Sequence, residues 1–364
     1  MSVFSHSDFD QHEKVVFSHD PHSGLKAIIA IHNSNLGPAA GGCRRWRYAS
    51  DDEALTDVLR LSRGMSYKNA LVGVPFGGGK AVILASESEE ASASEAQLEA
   101  FGKLVDSLAG AYVTAEDVGM RVADMQQVAR QTPYVTGVKA SGNDTGGDPA
   151  PYTALGVFKG IQSAARMALG RSDLDGLEVA VQGLGNVGLR LCELLHQAGA
   201  RLIISDINPQ RVNQAIQAFA AHAVSKEDIL FQEVDVVAPC ALGGVLTQGS
   251  VARLKAKIVA GSANNQLADD SVGELLQARS ILYAPDYVIN AGGIISVAHE
   301  YRGGSDPKWV QDKINAIASR LKEIFERSQV ESKPSNIIAD EMARKLIALA
   351  QPEADTQQRP SHAA

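Results

Sequence analysis

Leu177-Glu-Val-Ala-Val-Gln-Gly183-Leu184-Gly185-Asn186-Val187-Gly188-Leu-Arg-Leu-Cys192-Glu-Leu-Leu195 is the stretch that decides the fold class. It begins as a short apolar run and ends in leucines at helical spacing, so its three glycines stand where a strand turns into a helix. Gly183 would make the tight turn, Gly185 would let a pyrophosphate approach the backbone, and Gly188 would allow close packing of helix on sheet. Together with Leu184, Asn186 and Val187 they offer amides at a helix start, where anionic charge is held. A second apolar run, Leu202 to Ser205, ends at Asp206, 23 residues after Gly183. A carboxylate there accepts the ribose hydroxyls of a dinucleotide and repels a 2′-phosphate. Ile207 follows where a basic residue would have favoured NADP, so the expected cofactor is NAD.

Outward from this turn, short apolar runs recur at Leu177 to Gln182, Arg201 to Ser205, Val234 to Ala238, Ile258 to Ala260 and Ile281 to Tyr283. The segments between them are long enough for crossover helices, which implies a parallel doubly wound sheet. A helix from about Thr153 to Leu169 leads into it. Upstream, from about Val15 to Ala140, β-rich runs (Leu25 to Ile31, Ala81 to Leu84, Ala111 to Thr114) mix with helical stretches, and Ser50-Asp-Asp-Glu53 has the form of a capping box opening a long helix. Residues 141–151 are dense in turn formers, and a domain boundary and hinge are expected there. Trp309, Ile314, Ile317, Leu321, Ile324 and Phe325 mark a late amphipathic helix, which Pro334 separates from another at Ile337 to Ala350. Residues 351–364 are polar and aperiodic and are expected to be a mobile tail.

The composition narrows the function. With 34 Lys and Arg against 42 Asp and Glu, the chain of 364 residues has a formal charge of −8 and no general attraction for nucleic acid or an anionic membrane. Hydrophobic residues at 45% exclude disorder. The three cysteines, Cys43, Cys192 and Cys240, lie far apart, which suits a reducing compartment and offers neither a disulfide framework nor zinc-ligand spacing. No run has membrane-spanning length and residues 1–13 have no hydrophobic signal core, so a cytoplasmic location is expected.

Because a dinucleotide fold says nothing of the substrate, the chemistry must come from the first domain. Leu61, Met65 and Lys68 share one helical face, which puts a cation among apolar side chains. Such a lysine either holds an anion or simply snorkels from a helix C-terminus. Lys80 follows Gly77-Gly-Gly79 and starts the strand Ala81 to Leu84. The run is no phosphate loop, since Val74 stands in place of the first glycine and Ala81 in place of Ser or Thr. Burial and a second cation such as Lys68 would make Lys80 a usable base, whereas a surface lysine after a flexible turn is the plainer reading. Tyr112-Val-Thr-Ala115-Glu116-Asp117-Val-Gly119 ends a β-rich run in two acids, suited either to proton exchange with an amine or to capping a turn. No metal or serine-hydrolase motif is present in the sequence, and no metal is expected.

Taken together, Leu36-Gly-Pro-Ala-Ala40-Gly41-Gly42, Leu59 to Lys68, Phe76 to Lys80, Thr114 to Gly119, the Gly183 turn, Ala238-Pro-Cys240-Ala241-Leu-Gly-Gly244, Ala260-Gly-Ser-Ala-Asn264-Asn-Gln266 and Tyr283 to Gly293 resemble the Glu/Leu/Phe/Val amino acid dehydrogenase family. The resemblance runs in order through most of the chain. It implies an α/β fold of two domains with the active site in the cleft between them. The N-terminal α/β domain, 1–146 completed by about 331–350, would bind substrate and support a homo-oligomer, dimer or octamer. Residues 147–330 would form the NAD-binding Rossmann domain. The implied reaction is reversible oxidative deamination of an L-amino acid to the 2-oxo acid and ammonia.

Carried over residue by residue, Lys68 resembles the binder of the substrate carboxylate, with Met65 on its helix face and Gly41 and Gly42 giving backbone room. Lys80 resembles the general base that activates water, and Asp117 the group that shuttles protons to and from nitrogen. Asn264 resembles the asparagine near both nicotinamide and substrate, and Thr153, Cys240 and Ala241 resemble cofactor contacts. Ala115 and Ile294 resemble substrate-pocket positions of the aliphatic branch, while Ala40 is smaller than the leucine common there. The expected substrates are therefore leucine, valine and isoleucine, with an aromatic amino acid as the alternative and a non-catalytic NAD-binding regulator behind both. The family pattern usually reads Gly-Gly-Thr-Arg beside the paired glycines, and this chain departs from it at Gly42-Cys43-Arg44-Arg45.

Overall fold

The computed structural model describes residues 2–86, 92–138, 148–303 and 306–350. The expected tail lies outside the described residues, as does most of the expected hinge. The chain divides into two compact units, one of Met1–Gly147, Val297–Ser305 and Ala343–Ala364, the other of Asp148–Ser296 and Asp306–Met342. The sequence reading returned the chain to the first unit at about residue 331; the division instead keeps residues 306–342 with the second.

In the first unit the elements run β1 (Lys14–Asp20), β2 (Leu25–Asn33), β3 (Ala39–Ala40), β4 (Cys43–Trp46), α1 (Asp51–Val72), β5 (Gly77–Leu84), α2 (Glu95–Ser107), β6 (Tyr112–Val113) and α3 (Val122–Val128). The sheet order is β1-β2-β5-β3-β6, with β4 also on β5. β1, β2 and β5 are antiparallel neighbours, whereas β3 and β4 run parallel to β5 and β3 parallel to β6. Alternation gives the sheet two apolar faces. Ala27, Ile29, Ile31, Ala81 and Ile83 pack with Leu98, Phe101 and Met125. Ile28, Ala30 and Val82 pack on the other side with Leu55, Val58 and Leu59 of α1.

α1 begins where the sequence placed it, but only half of the capping box forms. Ser50 Oγ accepts from Glu53 N, while Glu53 Oε2 accepts from Ala49 N at 2.7 Å rather than from Ser50. The three glycines of β5 act chiefly in packing. A Cβ on Gly78 would meet Ser66 N of α1 at 2.1 Å, so the helix can lie against the strand only because that side chain is missing.

The second unit starts with α4 (Ala150–Leu169) and continues through β7 (Glu178–Gln182), α5 (Asn186–Gln197), β8 (Arg201–Ser205), α6 (Pro209–Phe219), β9 (His222–Ala223), β10 (Val236–Pro239), α7 (Gln248–Arg253), β11 (Ile258–Val259), α8 (Ser271–Ala278), β12 (Leu282–Tyr283) and α9 (Asp286–Ile289). α10 (Gly292–Tyr301) crosses from this unit into the first, α11 (Pro307–Glu331) belongs to the second, and α12 (Ser335–Leu349) crosses again. All six strands are parallel, in the order β12-β11-β10-β7-β8-β9. This is the doubly wound arrangement, and its order reverses between β7 and β10, where such sheets bind ligands at their carboxyl ends. The two-residue β9 went unforeseen because His222-Ala223, exposed and half-buried at the sheet edge, is no apolar run.

Candidate active site

The candidate site of the first unit is built by a run of chain that is stitched on both sides. Residues 39–45 lie between β5 and residues 112–118: Gly41 N donates to Val113 O at 3.2 Å, Cys43 N to Ala115 O at 2.8 Å and Arg45 N to Val118 O at 2.9 Å, while Ala81 N donates to Gly42 O at 3.3 Å. Lys80 has the same parity as Val82, so its side chain rises from the α1 face of the sheet. Arg44 pairs in register with Val82 and shares that face. The strand pairing thus brings Arg44 together with Lys80, 36 residues on, and with Asp117, 73 residues on.

Lys80 is 6% exposed and its Nζ stands 2.7 Å from Asp117 Oδ2. Arg44 Nε donates to the same oxygen at 3.2 Å. Burial by itself would raise the Asp117 pKa, but the charges of Lys80 and Arg44 overcome it and hold the carboxyl at about 2. The sequence reading set a second cation beside Lys80; the group within ion-pair distance is this carboxylate. Gly41 is required by packing within the protein: a Cβ there would strike Gly79 O at 1.8 Å and come within 3.2 Å of Met65 Cγ. Tyr112 Oη donates to Gly41 O at 2.6 Å and fixes that loop from below. Lys68 lies half-buried on α1, one turn before its end, and Ala115 lies half-buried two residues before Asp117.

The sequence reading missed the support of this pair. Arg44 also donates from Nη1 to both oxygens of Asp57 on α1, at 2.9 and 3.1 Å, and Tyr48 Oη donates to Asp57 Oδ2 at 2.6 Å. The signal available was Arg44 itself, noted only as part of a departure from pattern; its partners are joined to it by strand and helix packing, which spacing does not reveal.

The second unit carries its own candidate site, at the strand-order reversal. Gly183 has φ +96°, and a Cβ there would fall 2.8 Å from Ala241 Cβ, so the turns after β7 and β10 touch. A Cβ on Gly188 would lie 2.0 Å from Gly183 O, whereas one on Gly185 would meet nothing within 4 Å. The turn is therefore closed where helix meets strand and open where a pyrophosphate would lie. α5 starts at Asn186 with Val187 in its first turn, so its leading amides point into that opening. Asp206 follows β8; its Oδ2 accepts from Leu184 N at 2.6 Å and its Oδ1 from Asn208 N at 2.7 Å. Each carboxylate oxygen keeps further lone-pair capacity for a hydroxyl donor. These features fit a dinucleotide, with Gly183 to Gly188 and Asp206 as the residues that would hold it.

Cys240 N donates to Gln182 O at 2.7 Å, and burial pushes the Cys240 thiol up. Asn264 Oδ1 accepts from Asn290 Nδ2 at 2.7 Å. Asn290 was not singled out from the sequence; its own Oδ1 is buried without a hydrogen-bond donor among the described residues. A Cβ on Gly293 would lie 2.8 Å from Thr153 Oγ1, which places Thr153 beside the turn that leads to Ile294. Among the described residues no cluster of three His, Cys, Asp or Glu side chains could hold a metal ion, and no helix is long and apolar enough to cross a membrane.

The first unit thus carries a lysine and a carboxylate buried together on its sheet, and the second a glycine turn of the dinucleotide-binding kind at the reversal of a doubly wound sheet. The comparisons with known proteins place the chain further. Residues 12–134 match the model described as "Glu/Leu/Phe/Val dehydrogenase, dimerisation domain", and residues 148–210 and 204–341 match "Glutamate/Leucine/Phenylalanine/Valine dehydrogenase". The chain is 46% identical over 347 residues to leucine dehydrogenase of Geobacillus stearothermophilus, covering 95% of this chain and 94% of that one. It is 46% identical over 349 residues to valine dehydrogenase of Streptomyces virginiae, covering 94% and 95%. The crystal structure of L-tryptophan dehydrogenase from Nostoc punctiforme superposes with a TM-score of 0.81 at 41% identity, over 93% of this chain and 97% of that one. This chain belongs to the Glu/Leu/Phe/Val dehydrogenase family and is an NAD(P)-dependent amino acid dehydrogenase.

Proposed function

We propose that the protein catalyses the reversible, NAD-dependent oxidative deamination of a branched-chain aliphatic L-amino acid, leucine, valine or isoleucine, to the 2-oxo acid and ammonia. The observation that carries this reading is the buried contact of Lys80 Nζ with Asp117 Oδ2. Bound NAD supplies an acceptor for the hydride that leaves the substrate α-carbon. Lys68 holds the substrate carboxylate. Lys80, as general base, takes a proton from the water that attacks the resulting imine carbon, and Asp117 passes a proton to the nitrogen so that the C–N bond breaks and ammonia leaves. Lys80 accepts the water proton as the neutral amine, and the same proton, handed through Asp117 to the nitrogen, leaves with ammonia, so the exchange needs no outside acid.

Asp206 and Ile207 support NAD over NADP, because a 2′-phosphate would meet a carboxylate with no arginine or lysine beside it in sequence. Half-buried Ala115 and Ile294 support an aliphatic pocket, as do the leucine- and valine-specific names among the relatives. The match to a dimerisation-domain model supports a homo-oligomer, and the three free cysteines support a cytoplasmic setting. The test is NADH formation at alkaline pH from a panel of L-amino acids, with NADP as control. Turnover confined to the branched-chain substrates is expected. Preference for phenylalanine or tryptophan would move the substrate to the aromatic class, and NAD binding without any turnover would overturn the enzyme reading in favour of a regulator.

A further inference from the structure

We propose that Arg44 is a positioning residue for the reaction: clamped by Asp57 and Tyr48, it aims the Asp117 carboxylate at Lys80 and sets the charge that the pair feels. This rests on the deamination reading above and adds to it a group that does not itself touch the reacting atoms.

The geometry is a relay of four links. Tyr48 Oη reaches Asp57, both Asp57 oxygens are held by Arg44 Nη1, Arg44 Nε reaches Asp117 Oδ2, and Lys80 Nζ reaches that same oxygen. The side chains of Arg44, Asp57 and Asp117 are 18%, 22% and 18% exposed, so water does little to screen them. Three elements meet here, each giving one partner: β4 gives Arg44, α1 gives Asp57 and the segment after β6 gives Asp117. A guanidinium suits this task because its planar fork can serve two carboxylates at fixed angles, which an ammonium cannot.

The clamp also tempers charge. Two cations lie on Asp117, but one of them shares its charge with Asp57. When Lys80 gives up its proton during the reaction, Asp117 retains a cation that is already half-neutralised, so the carboxylate stays in place without being locked against protonation. Other titratable groups around the pair are the Cys43 thiol and the Tyr112 and Tyr48 hydroxyls; burial pushes all three up, and they are neutral at physiological pH. Glu116 adjoins Asp117 in sequence, and its backbone bridges to Cys43.

Opposite charge changes therefore have opposite effects. Arg44→Met removes a positive charge and should raise the apparent pKa of the Lys80–Asp117 pair by roughly one pH unit, whereas Asp57→Asn removes a negative charge and should lower it by a similar amount. Arg44→Lys keeps the charge but not the fork, so it should leave the titration in place while lowering kcat roughly tenfold with little change in KM. Two readouts on the full-length protein keep the questions apart. Acylation of Lys80 by an amine-reactive reagent, followed against pH by mass spectrometry of its peptide, needs no turnover; NADH formation from leucine against pH reads the reaction. Movement of the labelling profile in opposite directions in Arg44→Met and Asp57→Asn supports the proposal. An unmoved profile, or movement in the same direction in both, overturns it. If the labelling shifts are as expected but the wild-type protein makes no NADH from any amino acid, it is the deamination reading that falls.

Discussion

The Cβ atom that Gly42 lacks would lie 2.8 Å from Asp117 Cβ and 2.6 Å from the carbonyl oxygen of Glu116. Asp117 can reach Lys80 because nothing occupies that space. Gly42→Ala must push residues 116 and 117 away, and since backbone atoms are involved the neighbour cannot simply rotate aside. We expect kcat to fall roughly ten- to a hundredfold, because a displacement of about an ångström misaligns a proton path, with a stability loss of about 1–3 kcal/mol from overpacking. Steady-state kinetics with leucine and a urea unfolding curve check this; a variant with normal kcat would show that Asp117 tolerates displacement.

Lys80 and Lys68 should separate kinetically. Lys80→Ala removes the proposed base and leaves Asp117 with Arg44 alone, and kcat should drop by about a hundredfold or more. Lys68→Ala removes a group that holds the substrate carboxylate equally in ground and transition states, so KM for the amino acid should rise with a smaller change in kcat. Near-normal turnover by the Lys80 variant would refute the mechanism.

Asp206 holds the amides of Leu184 and Asn208 with its two oxygens, and in the proposed function it also meets the ribose hydroxyls. Asp206→Ala should weaken NAD binding both by loss of hydroxyl contacts and by loosening the glycine turn. Asp206→Asn keeps an acceptor for one amide while removing the charge that repels a 2′-phosphate. The ratio of kcat/KM for NADP over NAD should therefore rise in both variants, with affinity for NAD better preserved in the asparagine. An unchanged ratio in both would mean that discrimination lies elsewhere.

Much of this was legible because it is local. The Gly183 turn, the strand before it and the helix after it lie within one short stretch, and the approach of Gly188 to Gly183 O is made inside it, whereas the contact of Gly183 with Ala241 is not local. Lys80 stood out by its glycines, although Gly78 makes room for α1 while Gly77 is crowded by residues 33–37 and Gly79 by Tyr112 and Ala39. What could not be read was set by pairing across sequence. Arg44 meets Asp117 and Asp57 because β4 runs parallel to β5 beneath α1, and no periodicity within any of these segments encodes that. The role of Glu53 at the start of α1 shifted by one residue for a similar reason: a flexible side chain chooses between neighbouring amides after the helix has formed. The exchange of α12 between units at Ala343 is likewise a matter of packing partners, since an apolar stripe says that a helix is covered but not by what.

A last expectation concerns acid stability. His12 and His32 are buried against α1, 6% and 8% exposed, with ring centroids 4.9 Å apart. His12 Nδ1 accepts from Asp10 N at 3.2 Å and its Nε2 faces Leu59 O, while His32 Nδ1 lies 2.8 Å from Ser66 Oγ. Burial lowers both pKa values, against the pull of Asp10 and with the help of Arg63; for His32, assisted also by His12, the value falls from 6.5 to about 4. In the unfolded chain both rings bind protons at the ordinary pH, so folding must expel them in acid. Their contribution to stability is therefore fully present above pH 6.5 and is lost as pH falls toward 4, by up to on the order of 3 kcal/mol for His32. The urea midpoint should drop between pH 7 and pH 5, and the drop should shrink in His32→Asn, which keeps hydrogen-bonding capacity without the titration. An equal drop in that variant would assign the acid sensitivity to other groups.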